Sequence, residues 1–163
     1  MIFSAAFVGY SIGSAPIVSY HYGAGNQSEL KNVLRKSLIL IGYFSIAMVL
    51  HSELLSQPLA KAFVGYDAEL TKMTVSGFRI FSFSFLLMGF SIFSSSFFTA
   101  LNDGLTSSLI SFLRTLVFQT AAVMLLPLLF GIDGIWLSLV VAELMSAMLV
   151  FLFLGIKRKK YGY

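Results

Sequence analysis

The feature that most constrains this chain is a run of 22 residues, Ile80 to Leu101, without a charged side chain. An α-helix rises about 1.5 Å per residue, so this run can cross a hydrocarbon core about 30 Å thick. Hydrophobic residues make up 58% of the chain and charged residues 11%, against about 25% charged in ordinary soluble domains. Folded in water, such a chain would expose large apolar patches. The sequence therefore predicts a polytopic membrane protein.

Further apolar runs extend this prediction to five spans within a single transmembrane domain over residues 1–163. The predicted spans cover residues 3–22, 36–56, 75–101, 106–130 and 135–156. A transmembrane barrel is the alternative, because residues 79–85 alternate like a strand. Barrel strands need only about 9–11 residues and must be separated by frequent turns, which the long apolar runs do not allow. We therefore expect an all-α integral membrane fold.

Composition and motifs exclude several classes of function. The chain has no cysteine, which rules out a disulfide framework, thiolate metal sites and cysteine nucleophiles. It has no HExxH, GxSxG or Walker motif, so we expect no enzyme, no catalytic residue, no cofactor and no metal site. The net charge of +4 comes largely from a basic cluster, residues 157–160, directly after an apolar span. Such a cluster is a topology signal, and we expect no nucleic-acid partner.

Basic residues in the predicted loops are distributed unevenly between the two sides of the membrane. The side of the C-terminus holds seven of them and the other side holds Lys61 and Lys72. By the positive-inside rule this places the C-terminus in the cytoplasm. With five spans the N-terminus would then lie outside the cell, although it lacks the basic region of a signal peptide. We therefore expect one or more preceding helices to be missing.

Two features mark helix surfaces that do not simply face lipid. Pro16 lies inside the first span, where it either kinks a packed helix or frees a carbonyl that lines a cavity. On the third span Ser84, Met88, Ser91 and Ser95 fall at helical spacings. A small polar stripe of this kind faces other helices or water.

Charged residues inside or beside the spans are the other candidates for function, since an unpaired charge costs at least about 2.5–3.5 kcal/mol there. They are Arg79, Arg114, Glu143 and Glu53. Counting from the outer ends of the spans puts Glu143 about 12 Å deep and Arg114 about 24 Å deep. We therefore predict that Glu143 leans toward Arg79, with Glu53 as the competing partner. Arg114 is predicted to reach the cytoplasmic headgroups or a loop carbonyl. The charges either hold the bundle together or, for Glu143, take part in ion coupling.

Several short segments, in their order, resemble the carboxy-terminal lobe of the multidrug and toxic compound extrusion (MATE) transporters. They are AlaProIleValSer and TyrGlyAlaGlyAsn within residues 15–26, ThrAlaLeuAsnAsp at 99–103, Arg114 followed by Pro127, GlyIleAspGlyIleTrpLeuSer at 131–138, and AlaGlu at 142–143. The resemblance implies that the five spans form most of one six-helix lobe of a two-lobe, twelve-helix transporter. The first helix of the lobe and the whole amino-terminal lobe would then be missing.

The resemblance also implies a function, namely export of organic cations, often aromatic drugs, in exchange for Na⁺ or H⁺ across the cell membrane. The expected partners are the bilayer, the exported cation, and the missing lobe or another subunit. The cavity of the family is lined by its helices eight and ten, and the matching positions here are Pro16, Ser19, Tyr20, Ser84, Met88, Ser91 and Ser95. Some members carry an ion-coupling aspartate in helix ten. This chain has none between Arg79 and Leu101, so we expect coupling acids in the missing lobe and no transport by this fragment alone.

Two other functions stay open at this point. One is flipping of lipid-linked oligosaccharides by a relative in the same superfamily, which would need a more strongly cationic cavity. The other is a small membrane subunit that does not itself transport. The DNA upstream of the Met1 codon separates the antiporter and the flippase from the subunit. An in-frame extension encoding about seven more spans supports either transporter, and a promoter with a ribosome site supports the subunit.

Overall fold

A computed structural model describes the backbone of residues 2–163 and the side chains of residues 4–163. Every element in this range is helical. The helices are α1 (Ile2–Gly23), α2 (Gln27–Val64), α3 (Ala68–Ser82), α4 (Phe85–Ala100), α5 (Gly104–Phe112), a π-helical segment (Leu113–Gln119) and α6 (Thr120–Tyr161). The expectation of an all-α fold is confirmed.

The turns between the helices are made by the residue types that cap helices. Gly25 adopts φ +67° between α1 and α2, and the Asn26 side chain then accepts from the backbone N–H of Glu29 at 3.2 Å. Asp67 caps α3 by accepting from the N–H groups of Glu69 and Leu70. Asp103 caps α5 by accepting from the N–H of Thr106. Each cap satisfies backbone donors that have no partner within the helix, and so fixes where the helix begins.

The stretch predicted as one span over residues 75–101 is bent. α3 and α4 meet at an angle of 45° around residues 83 and 84. The serine and phenylalanine alternation that resembles a strand in the sequence lies at this bend. Together the two helices are long and apolar enough for one broken span.

The longest helical stretch, residues 104–161, folds back on itself. Its 58 residues would extend about 87 Å if straight, far more than a bilayer core. Gly131 breaks the helix with φ 59° and ψ −135°, and a Cβ on Gly134 would lie only 2.3 Å from the carbonyl oxygen of Leu126. The two arms therefore pack as an antiparallel hairpin whose tip is at Gly131.

By length and hydropathy, α2 and residues 104–161 qualify as membrane spans, as does the α3–α4 pair taken together. Dividing residues 104–161 at the Gly131 hairpin, and adding α1, gives five helical passes. The described part of the chain is thus an all-α membrane fold with five helical passes. The span limits derived from the sequence remain predictions, and α2, with 38 residues, is considerably longer than the span predicted at 36–56.

Helix α4 lies at the centre of the bundle and contacts α1, α2, α5 and α6. Its rings Phe93, Phe97 and Phe98 are almost completely buried. α1, α2 and α6 contribute Val18, Leu30 and Val150 to the same core. Because α4 is covered on most of its sides, its few polar groups must bond to the neighbouring helices or lie at the remaining open edge.

Candidate functional site

The open edge of α4 lies between α1 and α5 and carries a strip of hydroxyl groups. Thr99 Oγ1 and Ser107 Oγ are 2.7 Å apart, and Ser95 Oγ lies 3.0 Å from Ser107 Oγ and 2.9 Å from Ser111 Oγ. On the α1 side, Ser19 Oγ donates to the carbonyl of Ala100 at 3.0 Å. We call Ser19, Ser95, Thr99, Ser107 and Ser111 the hydroxyl strip.

The hydroxyl strip is polar and open to the surroundings. Ser19, Thr99 and Ser111 are exposed, whereas Ser107 is buried beneath them. A lipid-facing surface gains nothing from hydroxyl groups, and small polar residues in spans collect where helices or water-filled cavities meet them. The strip is therefore a candidate for a surface that faces something other than lipid.

The strip continues along the hairpin. Thr115 and Gln119 lie four and eight residues after Ser111, on the π-helical segment. They line a shallow cavity of about 320 Å³ together with Thr120, Val123 and Met124. The apolar members give this cavity a mixed lining of the kind that small-molecule sites use.

The predicted cavity residues do not all reach this surface. Pro16, Ser19 and Tyr20 are exposed on α1, with Tyr20 72% exposed, and Ser95 belongs to the strip. Met88 is half-buried.

The other two serines of the predicted stripe lie inside the bundle. Ser91 accepts a hydrogen bond from Ser146 of α6 at 2.9 Å, and Ser84 is fully buried. Their positions suit helix packing, which is one of the two interpretations of the stripe. Their lining of a cavity remains a prediction.

Three members of the strip are absent from the sequence-based list of candidates. Thr99 follows Ser95 by four residues, and Ser107 and Ser111 share the same spacing on the next helix. This spacing places each pair on one helix face. The pattern was visible in the sequence, but the side on which α5 packs against α4 was not.

The charged residues pair differently from the prediction, which was wrong for Arg114 and Glu143. Arg114 donates to Glu143 from both Nε and Nη2, with the shortest distance 2.6 Å, and both side chains are largely buried. Arg79 instead lies 3.4 Å from Glu53, the competing partner, whose other oxygen accepts from Ser82. Arg79 does not reach Glu143.

The error has a geometric cause. The depth count treated residues 131–134 as a loop outside the membrane, but the chain reverses at Gly131 alone and continues helically. Arg114 precedes Phe130 by 16 residues and Glu143 follows Gly131 by 12, which leaves an offset of about 6 Å along the hairpin. The long arginine side chain bridges such an offset.

The π-helical segment carries this ion pair. Arg114 is its second residue, and the wider π turn replaces the ordinary helical hydrogen bonds from Leu113 to Gln119. Such segments are rare and are often found at functional sites. Here the segment sets the position from which Arg114 makes a two-nitrogen contact with one carboxylate, a strong and directional arrangement.

A second polar cluster lies at the end of the bundle with the basic tail. Asp103 accepts from the Tyr161 hydroxyl at 2.7 Å and lies 3.2 Å from Lys157 Nζ. Burial opposes the charge of Asp103, but the hydrogen bonds from Tyr161 and Thr106 and the contact with Lys157 together hold its pKa well below the usual range. Burial raises the pKa of both Tyr161 and Tyr163. The cluster joins the α4–α5 turn to the end of α6.

Among the described residues there is no group of three or more His, Asp or Glu side chains that could hold a metal ion. All seven acidic residues lie in this part of the chain. Glu53, Asp103 and Glu143 are in ion pairs. The others are near helix ends, at positions 29, 67, 69 and 133.

Comparisons with known proteins give a family match and a structural match to the same kind of protein. The family model MatE matches residues 1–125. The fold is similar to that of the Vibrio cholerae MATE transporter VcmN, solved in a bent form, with a TM-score of 0.87 at 18% sequence identity. The similarity covers 96% of this chain and 35% of the VcmN chain, so the present chain spans about a third of that protein. No curated protein matches.

Proposed function

We propose a secondary-transport function from the premise that this chain belongs to the MatE family. The resemblance seen in the sequence is confirmed, and the family consists of transporters rather than enzymes. The proposal is that the chain forms most of one lobe of an exporter of organic cations, driven by inward movement of Na⁺ or H⁺. The hydroxyl strip is the observation that supports this most directly.

The hydroxyl strip would form part of the wall of the transport path. It presents neutral hydroxyl groups beside Tyr20 and, along the hairpin, beside Met124, which is 68% exposed. Aromatic and methionine side chains can pack against the apolar parts of a cation in several orientations, and aromatic faces attract its positive charge. A broad, neutral and partly apolar wall therefore suits large aromatic cations of varied shape.

The proposed path needs a second lobe. The strip is open on the side away from α4, and the chain spans about a third of the VcmN chain. We propose that the amino-terminal lobe, or another subunit, closes the path from the opposite side. The chain on its own is therefore expected not to transport.

The coupling acids are proposed to lie in that other lobe. The carboxylates of Glu53 and Glu143 are already neutralised by arginines. A carboxylate that is held by two arginine nitrogens is poorly placed to exchange a proton or Na⁺ in each cycle. We therefore propose that Glu143 stabilises the hairpin and does not carry the coupling ion.

The same pairs favour export of cations over flipping of anionic lipid-linked sugars. A flippase would need a strongly cationic cavity. Arg79 and Arg114 are the arginines available inside the spans, and each faces a carboxylate. The hydroxyl strip contains no positive charge.

Efflux of ethidium, a fluorescent aromatic cation, tests the proposal. Cells would express either this chain alone or this chain joined to the amino-terminal lobe of a MATE transporter. We expect Na⁺- or H⁺-dependent efflux only from the joined protein. Ser111→Leu and Thr115→Leu should each lower efflux by the joined protein about fivefold, because each removes one hydroxyl that would hydrogen-bond in the transport path. Met148→Leu, on an apolar face, should leave efflux unchanged. Loss of activity in all three variants, or in none, would contradict the assigned wall.

The role of Glu143 has a separate test in the same cells. Glu143→Gln should lower the amount of folded protein, while the surviving protein should keep its ion dependence. Efflux per folded molecule that no longer responds to the ion gradient would show instead that Glu143 takes part in coupling.

The proposed location is the cell membrane with a cytoplasmic C-terminus. The structure places the basic tail and the α1–α2 turn at the same end, since Tyr161 packs against Tyr22 with ring centroids 5.7 Å apart. This end carries seven basic residues. A protease added outside intact cells should leave a C-terminal tag uncut.

A further inference from the structure

A groove lies between α2 and the last part of α6, at the end of the bundle that carries the basic tail. It encloses about 500 Å³. Leu38 and Ile39 of α2 and Phe151 and Leu154 of α6 make it strongly apolar. Ile39 and Phe151 are each about half exposed, so the groove is open to the bilayer.

Three cations line one end of the groove. They are Lys31 and Arg35 on α2 and Arg158 on α6. The two helices run in opposite directions, so residues 31 and 35 meet residue 158 at one end, and residues 38 and 39 meet residue 151 at the other. The distance between the two ends is about 12 Å, because eight residues separate Lys31 from Ile39.

These cations have no acidic side chain as a partner within the described part of the chain. Lys31 and Arg35 take part in none of its ion pairs. Arg158 donates from Nε to the main-chain oxygen of Tyr163, the last residue of the sequence, at 3.2 Å, and its two terminal nitrogens stay available for another acceptor. With Lys31 and Arg35, these nitrogens form a site beside the apolar groove that suits a negative, amphiphilic molecule.

From this geometry we propose that the groove binds one anionic glycerophospholipid from the leaflet at the basic end. The phosphate would contact Lys31, Arg35 and Arg158, and one acyl chain would lie along Ile39 and Phe151. Basic pockets between transmembrane helices bind anionic headgroups in this way, and each interfacial cation contributes about 1 kcal/mol, or roughly fivefold in affinity. The inference requires a membrane setting but is independent of what the protein transports.

Gly155 provides the most direct way to block the site. It lies on the groove wall, and a Cβ added there would meet nothing within 4 Å. Gly155→Trp should therefore fill the groove without disturbing the helix packing. Leu152→Trp is the matched control, because Leu152 is 57% exposed on the same helix and does not line the groove.

Charge variants test the headgroup contact. Lys31→Gln with Arg35→Gln removes two cations from the groove and should weaken lipid binding by about thirtyfold, at fivefold for each. Lys36→Gln with Lys159→Gln removes the same charge from exposed positions at the same end of the bundle, outside the groove. This control pair should change binding by less than about threefold, as distant charges are screened by salt.

The measurement is native mass spectrometry of the full chain in detergent, titrated with phosphatidylglycerol, with phosphatidylcholine of the same acyl chains, or with inorganic phosphate. We expect saturable binding of one phosphatidylglycerol, lost in the Gly155→Trp and groove-charge variants and kept in both controls. Equal binding of phosphatidylcholine, equal binding of inorganic phosphate, or an equal loss in the control variants would each overturn the proposal.

Discussion

At the scale of single residues, Arg114 and Glu143 form an ion pair that joins the two arms of the hairpin. The sequence showed that both lie inside spans, and it could not show that they meet. Their pairing depends on where the chain reverses, and one glycine decides that. The adjacent arms of the hairpin bring together two charges that would each be costly alone.

Breaking this pair from either side should destabilise the protein. Arg114→Met or Glu143→Gln leaves a largely buried charge without its partner, which costs about 3 kcal/mol in comparable sites. The double variant should lose much less than the sum, because no uncompensated charge remains. A double-mutant cycle on the unfolding free energy in detergent measures this coupling. Strictly additive losses would show that the two side chains act independently.

Asp103 gives a pH-dependent prediction. Its pKa in the folded protein is held below the usual range, while an unfolded aspartate titrates near pH 3.9. The ionised form is thus favoured by folding, and this contribution is present above about pH 4 and is lost as the pH falls toward the depressed value. Asp103→Asn should therefore lower the melting temperature at pH 7, and its difference from the parent should shrink below about pH 4.

Asp133→Asn is the control for this measurement, since Asp133 is exposed at the hairpin tip. The melting temperature of Asp133→Asn should follow that of the parent protein across the pH range. A constant difference between Asp103→Asn and the parent from pH 7 to pH 2 would contradict the role given to the ionised carboxylate.

At the scale of the helices, glycine, asparagine and aspartate in the sequence predict the turns well. The turn at residues 102–104 lies in the gap between the predicted spans 75–101 and 106–130, with Asn102 at φ 59°, and Gly25 and Gly131 lie at two other reversals with positive φ. The bend between α3 and α4 and the π-helical segment were not predicted. Neither contains a proline or glycine at its break, and both depend on packing that a single helix does not encode.

Gly131 is the residue that makes the hairpin. Its φ of 59° with ψ of −135° lies in a region open to glycine and costly for other residues. Gly131→Ala should lower the unfolding free energy by about 1–3 kcal/mol. Gly9→Ala is the matched control, because a Cβ at this position in α1 meets nothing within 4 Å and alanine favours the helix. Equal effects of the two substitutions would remove the special role of Gly131.

At the scale of the whole molecule, the sequence predicted the fold class because that depends on composition and periodicity. It did not predict which serines line a surface. Ser91 and Ser95 are four residues apart on one helix. Ser91 nevertheless bonds to Ser146 inside the bundle, whereas Ser95 bonds to Ser107 within the hydroxyl strip. The neighbours of α4 decide this difference, and they are distant in sequence.

The central claim is that the hydroxyl strip and its continuation at Thr115 line an aqueous path. The chain contains no cysteine, so single cysteines introduced here have no background from this chain, and any cysteine of the joined lobe would first be replaced by serine. Ser111→Cys and Thr115→Cys would be compared in membranes of cells producing the joined protein with Met148→Cys, which is 63% exposed on an apolar face of α6. The measurement is the rate of modification by a membrane-impermeant thiol reagent, with and without ethidium. We predict fast modification of the two strip variants, slowed by ethidium, and slow modification of Met148→Cys. Strip variants that react as slowly as Met148→Cys, with no effect of ethidium, would contradict the account.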